Sequence, residues 1–422
     1  MSIYAGIYFV VLLFLSVPVA HALFIAASAG MVTIGKEYML GQTIISLYDP
    51  TQKFPMIAIP FFIRAGDLMM SGRFGEYLIK FSKLVVGHLK GGLAQVSVIG
   101  SLLFGGVSGS AVADASALGN ALIPVQKKEG YPSGYPAAVN AASSTISVLI
   151  PPSIPLILYG LVSEVSITKL FIAGLLPGVL LAVTIFGICV IINSRKNLPR
   201  SPLPGGLKGM GRDVFKAIPA LMMPVLIIVL ARGGVVTPTE ISVFAVTYAL
   251  LVGIFIYRDL NFAIIMRCVL TSGMMTGVIM LVIMGSGVLQ WILSAESVPE
   301  NLANWILSAP ESKWMIIIAM NILLIMIGTF LDLPAAVLLL TPIFLGIASA
   351  IGLDHIQLGV MMVVNLAIGL YTPPVGTTLF VSISIERVGM GRAVIELLPF
   401  YFAAIAILLL VSFVPQITTV FL

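Results

Sequence analysis

The chain has 422 residues, of which 59% are hydrophobic and 9% charged, and its mean hydropathy is +1.13. That composition excludes a soluble globule and indicates an all-α polytopic membrane protein in a lipid bilayer; the apolar runs are too long and continuous for the short alternating strands of a β-barrel. The net charge of +5 comes from loop lysines and arginines, which argues for membrane orientation and against nucleic-acid binding, while Cys189 and Cys268 lie in or beside apolar segments and suggest neither a disulfide framework nor a metal site.

In chain order, residues 3–32 read as one retained first helix, kinked near Pro18 and running outward. Ala20-His21-Ala22 looks like a cleavage site, but no basic segment precedes it and the apolar run is too long for a signal peptide. Residues 36–53 form a polar outer loop. Residues 54–72 return inward, broken by Pro60 and carrying Arg64 and Asp67 three apart on one helix face, where they can neutralise each other. Residues 76–90 alternate apolar positions and lysines at helical spacing, as an interfacial amphipathic helix does.

The stretch 91–126 is apolar yet lies between two basic clusters, Lys80, Lys83 and Lys90 before it and Lys127 and Lys128 after it. Both clusters belong on the cytoplasmic side, so the chain must enter the bilayer and come back. Two crossings would each need roughly 20 residues. The stretch has 36, six of them in the turn-like Gly105–Ser110. A re-entrant hairpin with a non-helical tip satisfies the length, and such a tip is tolerated only where protein or water meets its backbone groups.

Residues 137–162 then cross outward and 168–193 return, and 194–216 form a basic cytoplasmic linker carrying Arg195, Lys196, Arg200, Lys208, Arg212 and Lys216. Residues 217–238 hold an extra crossing, followed by an inward helix, 239–257, and an outward one, 268–293. An acidic outer loop, 294–313, leads to 314–350, which is again too short for two crossings and reads as a second hairpin entering from the periplasmic side. Residues 356–385 go in and 393–422 come out. This path leaves sixteen of the 22 lysines and arginines inside, with the N-terminus cytoplasmic and the C-terminus periplasmic.

The path repeats. Residues 1–193 and 239–422 contain the same order of elements in opposite orientation, with Pro151-Pro152 and Pro373-Pro374 separated by 222 positions and Asp114 and Asp332 by 218. Two inverted-topology repeats, each with a re-entrant hairpin and a Pro-Pro broken helix, are the signature of a secondary transporter. A proline pair frees backbone carbonyls inside a span. With neighbouring hydroxyls those carbonyls suit a hard monovalent cation. One sodium site is therefore expected at Ser108, Gly109, Ser110, Ser143, Ser144, Thr145 and Pro151, and a second at Gly328, Thr329, Asp332, Thr372, Pro373, Thr377 and Thr378. The substrate is expected between them, at Ser108, Asn140, Ser153, Asn365 and Arg64. Sodium would serve as coupling ion, and no cofactor or catalytic residue is expected.

Residues 105–119 (GGVSGSAVADASALG), 140–159 (NAASSTISVLIPPSIPLILY) and 370–380 (LYTPPVGTTLF) resemble the large membrane subunit, DctM type, of tripartite ATP-independent periplasmic (TRAP) transporters. The resemblance runs over essentially the whole chain. It implies an elevator-type carrier of the bacterial inner membrane, driven by sodium, importing an organic acid such as sialic acid or a C4-dicarboxylate. It also implies a periplasmic substrate-binding protein and a small four-helix membrane subunit of DctQ type, the latter as a separate chain because nothing precedes the first helix. The competing readings are a proton-coupled carrier without a binding protein, titrating Asp114 or Asp332; a channel; and an intramembrane aspartyl protease, whose YD and GxGD pair is absent.

Overall fold

The computed structural model describes residues 1–200, 206–234, 236–308 and 312–422. Residues 201–205 of the predicted linker, the side chains of Lys208 and Arg212, and residues 309–311 lie outside the described residues. Among the described residues every regular element is helical, and the one β-type contact is an isolated bridge between Lys90 and Arg200. Seven of these helices are long and apolar enough to cross a bilayer.

The longest, Phe262–Ala295, has 34 residues and defines two ends of the molecule. At 1.5 Å per residue it is about 50 Å long. Asn261 caps its start by accepting from the Ile264 N–H at 2.9 Å, and nearby Asp259 accepts the N–H of Arg73. Beyond its far end, Glu296 accepts from the backbone N–H and the hydroxyl of Ser2 at 2.8 and 2.5 Å. The lysine-rich segments collect at the first end. There the Asn193 amide donates to Gly91 O at 3.0 Å, Tyr135 donates to Asn193 at 2.7 Å, and Glu386 accepts from the N–H groups of Gly134 and Ala137 at 2.7 and 2.8 Å. At the opposite end Lys53 meets Glu164 at 3.1 Å and Tyr159 donates to His355 O at 2.6 Å.

Two helix pairs turn back on themselves. Helices Gly92–Ser108 and Ala111–Lys128 meet at Gly109 and Ser110, and Gln126 donates to Leu93 O at 3.0 Å, so their bases lie together at the basic end. Helices Lys313–Gly328 and Leu333–Ile351 meet at residues 329–332, and Lys313 donates to Gly352 O at 2.9 Å, closing their base at the other end. The first tip is narrower than the expected Gly105–Ser110, because the helix continues through Ser108. Gly105 and Gly106 instead permit close packing. A Cβ on Gly105 would stand 2.8 Å from Ser147 Cα, and one on Gly106 2.3 Å from Pro224.

Each proline pair interrupts a helix. The first breaks into Tyr135–Ser144, a 3-10 turn Thr145–Val148 and Ile154–Ser163; the second breaks into His355–Gly369 and Thr377–Glu386. Both Pro-Pro peptide bonds are cis. Asp354 starts the second by accepting from the N–H groups of Ile356 and Gln357 at 2.9 Å each.

Three expectations need correction. Residues 3–32 are not one kinked helix but an antiparallel pair, Ser2–Phe14 and Val19–Thr33. Pro18 lacks an N–H and disfavours helix at the residue before it, and Ser16 turns the chain with φ +60. The two helices pack closely enough that a Cβ on Gly30 would touch Ala5 N at 3.0 Å. The path therefore returns, and Ser2 sits with Glu296 at the end away from the lysine-rich segments, against the basis on which the N-terminus was expected to be cytoplasmic. Second, the polar loop after it contains helix Leu40–Tyr48 flanked by 3-10 turns. Third, the acidic loop contains helix Val298–Ser308, whose apolar positions 298, 302, 305 and 306 follow helical spacing.

The close approach of the second tip to its broken helix is testable. A Cβ at Gly369 would lie 2.4 Å from the backbone of Gly328, whereas one at Gly187 would meet nothing within 4 Å. Gly369→Ala should destabilise the protein by about 1–3 kcal/mol, seen as a lower thermal midpoint in detergent, with Gly187→Ala unchanged. In intact membranes, single cysteines at the exposed Lys90 and Lys127 should be labelled from one face and a cysteine at Ser2 from the other.

Candidate functional site

The two tips and the two broken joints surround one cavity of about 690 Å³. It is lined by Ser108, Gly109, Ser110 and residues 111–113 of the first tip, and by Asp332, Leu333 and Pro334 of the second. Val148, Ile154, Pro155, Leu370 and Thr377 flank the joints, and Phe380 and Val381 continue the wall. The remaining wall comes from two uninterrupted helices, through Ile63, Gly66, Asp67 and Met70 and through Thr271, Met275, Val278 and Ile279. Among the described residues no lysine, arginine or histidine lines it.

Four helices begin at this cavity: Ala111–Lys128, Ile154–Ser163, Leu333–Ile351 and Thr377–Glu386. Each contributes unpaired N–H groups and about half a positive elementary charge at its N-terminus. Ser110 caps the first by accepting from Ala113 N–H at 3.4 Å. Ser153 caps the second, accepting from Leu156 N–H at 3.3 Å while donating to Val148 O. Asp332 occupies the N-cap position of the third without a side-chain cap bond, and Gly376, with φ +46, precedes the fourth. Positive dipole ends concentrated in this way favour negative charge nearby even where no basic side chain contributes.

Tips and joints touch directly. A Cβ on Gly109 would fall 2.0 Å from Pro152 O, and Gly109 itself has φ +58, so only glycine fits there. The structure brings Ser108, Gly109, Ser110, Asp332 and Thr377 onto the cavity. Thr377 Oγ1 is buried with no hydrogen-bond partner.

Other expected ligands have work elsewhere. Ser143 shares hydrogen bonds of 3.2 Å with Ser97 and Ser101, joining the broken helix to the first arm of its hairpin. Ser144, Thr145, Thr329 and Thr372 donate to carbonyls three or four residues back, at 2.9, 2.7, 2.8 and 2.7 Å. Thr378 donates to Leu370 O at 2.9 Å and to Ala141 O at 3.3 Å, tying the two broken helices together. Gly328 packs on Gly369, and Pro151 and Pro373 stand within the joints rather than on the cavity wall.

Of the expected substrate residues, only Ser108 faces the cavity. Asn140 bridges Ala115 O and Ser382 Oγ at 2.8 Å each, and Asn365 bonds to Asn321 Oδ1 at 2.8 Å. Both are struts. Arg64 is absent from the lining, and its Nε is buried without a partner; its neighbour Asp67 is the one that faces the cavity. Arg64 and Asp67 form no ion pair, contrary to their helical spacing. Asp114 stands one turn beyond the first tip, fully buried, and neither carboxylate oxygen has a hydrogen-bond partner, so it does not cap its hairpin. An intramembrane acid is a functional candidate by default, and Asp114 lies behind the first tip rather than on the cavity wall.

Toward the end that bears Glu296, hydrogen bonds bridge the elements around the cavity. Lys53 there donates to Leu161 O at 3.2 Å besides pairing with Glu164, and Gln290 donates to Leu338 O at 3.1 Å. These bonds tie the surrounding helices to a broken helix and a hairpin arm. Lys53→Ala with Gln290→Ala should expose a cysteine at Ser110 to membrane-impermeant reagents added from that face; unchanged labelling would remove the two side chains from any role in closure.

Comparison with known proteins agrees with this geometry. Residues 7–417 match the family described as Tripartite ATP-independent periplasmic transporter, DctM component. The chain is 46% identical to the uncharacterized protein y4mL of Sinorhizobium fredii, covering 99% of this chain and 100% of that one. It is 33% identical to the C4-dicarboxylate TRAP transporter large permease protein DctM of Pseudomonas aeruginosa, covering 89% and 87%. The fold is similar to the crystal structure of the Alcanivorax borkumensis YdaH transporter, with a TM-score of 0.58 over 89% of this chain and 88% of that one, at 14% identity. A transport protein rather than an enzyme, the chain thus belongs to the DctM family of large membrane components of TRAP transporters.

Proposed function

We propose that this chain is the sodium-coupled, binding-protein-dependent permease through which an organic acid enters the cell. The observation that carries the reading is the convergence of four helix N-termini on a cavity without basic side chains. That arrangement favours a carboxylate and leaves its charge to be balanced further by small cations. One sodium ion binds at Ser108, Gly109 and Ser110 beside the first joint, with Asp114 one turn further along the same hairpin. A second binds at Asp332 and Thr377 beside the second joint. The unpartnered oxygens of Asp114 and Thr377 support both placements. The substrate is a C4-dicarboxylate, as in the name of the Pseudomonas relative, or another small organic acid such as sialic acid.

The two halves act as inverted repeats. Hairpins closed at opposite ends support this, as does the placement of amphipathic helices Phe74–Val86 and Val298–Ser308 immediately before them. Hairpins and broken helices move together as an elevator against the uninterrupted helices. By the positive-inside tendency the basic end is cytoplasmic and the end bearing Ser2 and Glu296 is periplasmic. A small DctQ-type membrane subunit and a periplasmic binding protein complete the system, as membership of the family implies.

Uptake into proteoliposomes containing both membrane chains, with binding protein and candidate acids supplied, tests the mechanism. Uptake should require a sodium gradient and the binding protein. Full uptake driven by a proton gradient without sodium would assign Asp114 or Asp332 as a titrating group instead. Replacing Ser108 and Ser110 by alanine should raise the sodium concentration for half-maximal uptake about tenfold, on the scale of one lost charge-assisted contact. An unaltered sodium dependence would remove the first tip from the ligand set.

A further inference from the structure

The basic end holds a compact arrangement that transport of an acid through the central cavity does not use. Helix Phe74–Val86 buries Phe74, Tyr77, Leu78 and Val86 and leaves Lys80 exposed. Tyr257 packs on this helix, its ring centroid 4.9 Å from those of both Phe74 and Tyr77. The Tyr257 hydroxyl donates to Lys216 O at 2.8 Å, which brings helix Gly206–Gly233 onto the same aromatic group. As a result two lysines from separate elements face one ring. Their ammonium nitrogens stand 5.4 Å (Lys80) and 6.0 Å (Lys216) from the centroid of Tyr77.

Acidic groups do not neutralise the pair. Glu76 reaches Lys80 only at 3.8 Å, with both side chains more than half exposed, and such a contact is worth little. Among the described residues Lys216 has no ion pair. Phe215, next to Lys216 in the chain, is an exposed apolar side chain. Two ammonium groups above an amphipathic helix, with apolar surface beside them, match a phosphate headgroup with acyl chains beneath it.

We propose that Lys80 and Lys216 form a binding site for the headgroup of an anionic phospholipid in the leaflet at the basic end. The bound lipid holds helix Phe74–Val86 against Gly206–Gly233. Because that amphipathic helix also packs along the first arm of the first hairpin, Gly92–Ser108, the lipid steadies the surface against which the hairpin rests. The site lies outside the central cavity and stands whether or not the proposed substrate and coupling ion are correct.

The test uses the full chain reconstituted in nanodiscs of phosphatidylcholine doped with phosphatidylglycerol, extracted gently and examined by native mass spectrometry for retained phosphatidylglycerol. Lys80→Ala with Lys216→Ala should weaken retention roughly tenfold or more, since each juxtamembrane cation adds measurably to anionic-lipid affinity. Lys80→Arg with Lys216→Arg should keep it, and Lys36→Ala with Lys169→Ala, at the opposite end, should leave it unchanged. Retention by the double alanine variant, or an equal loss in the opposite-end variant, would overturn the site. So would displacement of the lipid by inorganic phosphate alone, which would make it a free-anion site. Thermal midpoints in pure phosphatidylcholine discs verify folding, and Lys216→Ala alone supplies the same readout if the double variant does not fold.

Discussion

A helix can stop inside a bilayer only if protein groups or a water-filled cavity take up the backbone groups it releases. The architecture of this protein follows from how it meets that condition four times in one place. At the first joint Ser153 accepts from Leu156 N–H and donates to Val148 O; at the second, the N–H and hydroxyl of Thr378 both donate to Leu370 O at 2.9 Å. Each hairpin tip then closes over its joint through a glycine contact, Gly109 on Pro152 and Gly328 on Gly369. The breaks are affordable because they are adjacent, and their adjacency creates the cavity.

Electrostatics follow from the same geometry. Helices that start beside a cavity present their positive ends to it, so four interrupted elements supply attraction for an anion. Among the described residues the ionisable side chains on the cavity wall are acids, Asp67 and Asp332, with Asp114 behind the first tip. Backbone dipoles thus oppose side-chain charge within a small volume. In the proposed transport reaction a cation entering with an anionic substrate would satisfy both.

Around this centre the uninterrupted helices are attached by few polar bonds. Lys53 and Gln290 grip the inner elements near one end, and the Phe74, Tyr77 and Tyr257 rings join the outer helices at the other. Elsewhere the contact surfaces are largely apolar and rich in small residues such as Gly66, whose added Cβ would meet Ser108 Cα at 3.3 Å. Such surfaces slide more readily than hydrogen-bonded ones, since no buried polar group is left unpaired by the movement.

The membrane setting and the places where helices break at the two proline pairs were legible in the sequence, because hydropathy and proline chemistry act locally. The residues at the tips, Ser108 to Ser110 and Asp332, were legible for the same reason. Tertiary structure decided which polar side chains face the cavity. Asn140, Asn365 and Ser143 look no different in sequence from ligands, yet Asn140 and Ser143 bond to neighbouring helices and the Asn365 side-chain amide donates to Asn321, and the choice between Arg64 and Asp67 turns on the rotation of one helix against its neighbours. The same holds for residues 3–32. Their apolar length suits either one crossing or two short antiparallel helices, and the contacts of Gly30 with Ala5 and of Ser2 with Glu296 select the second.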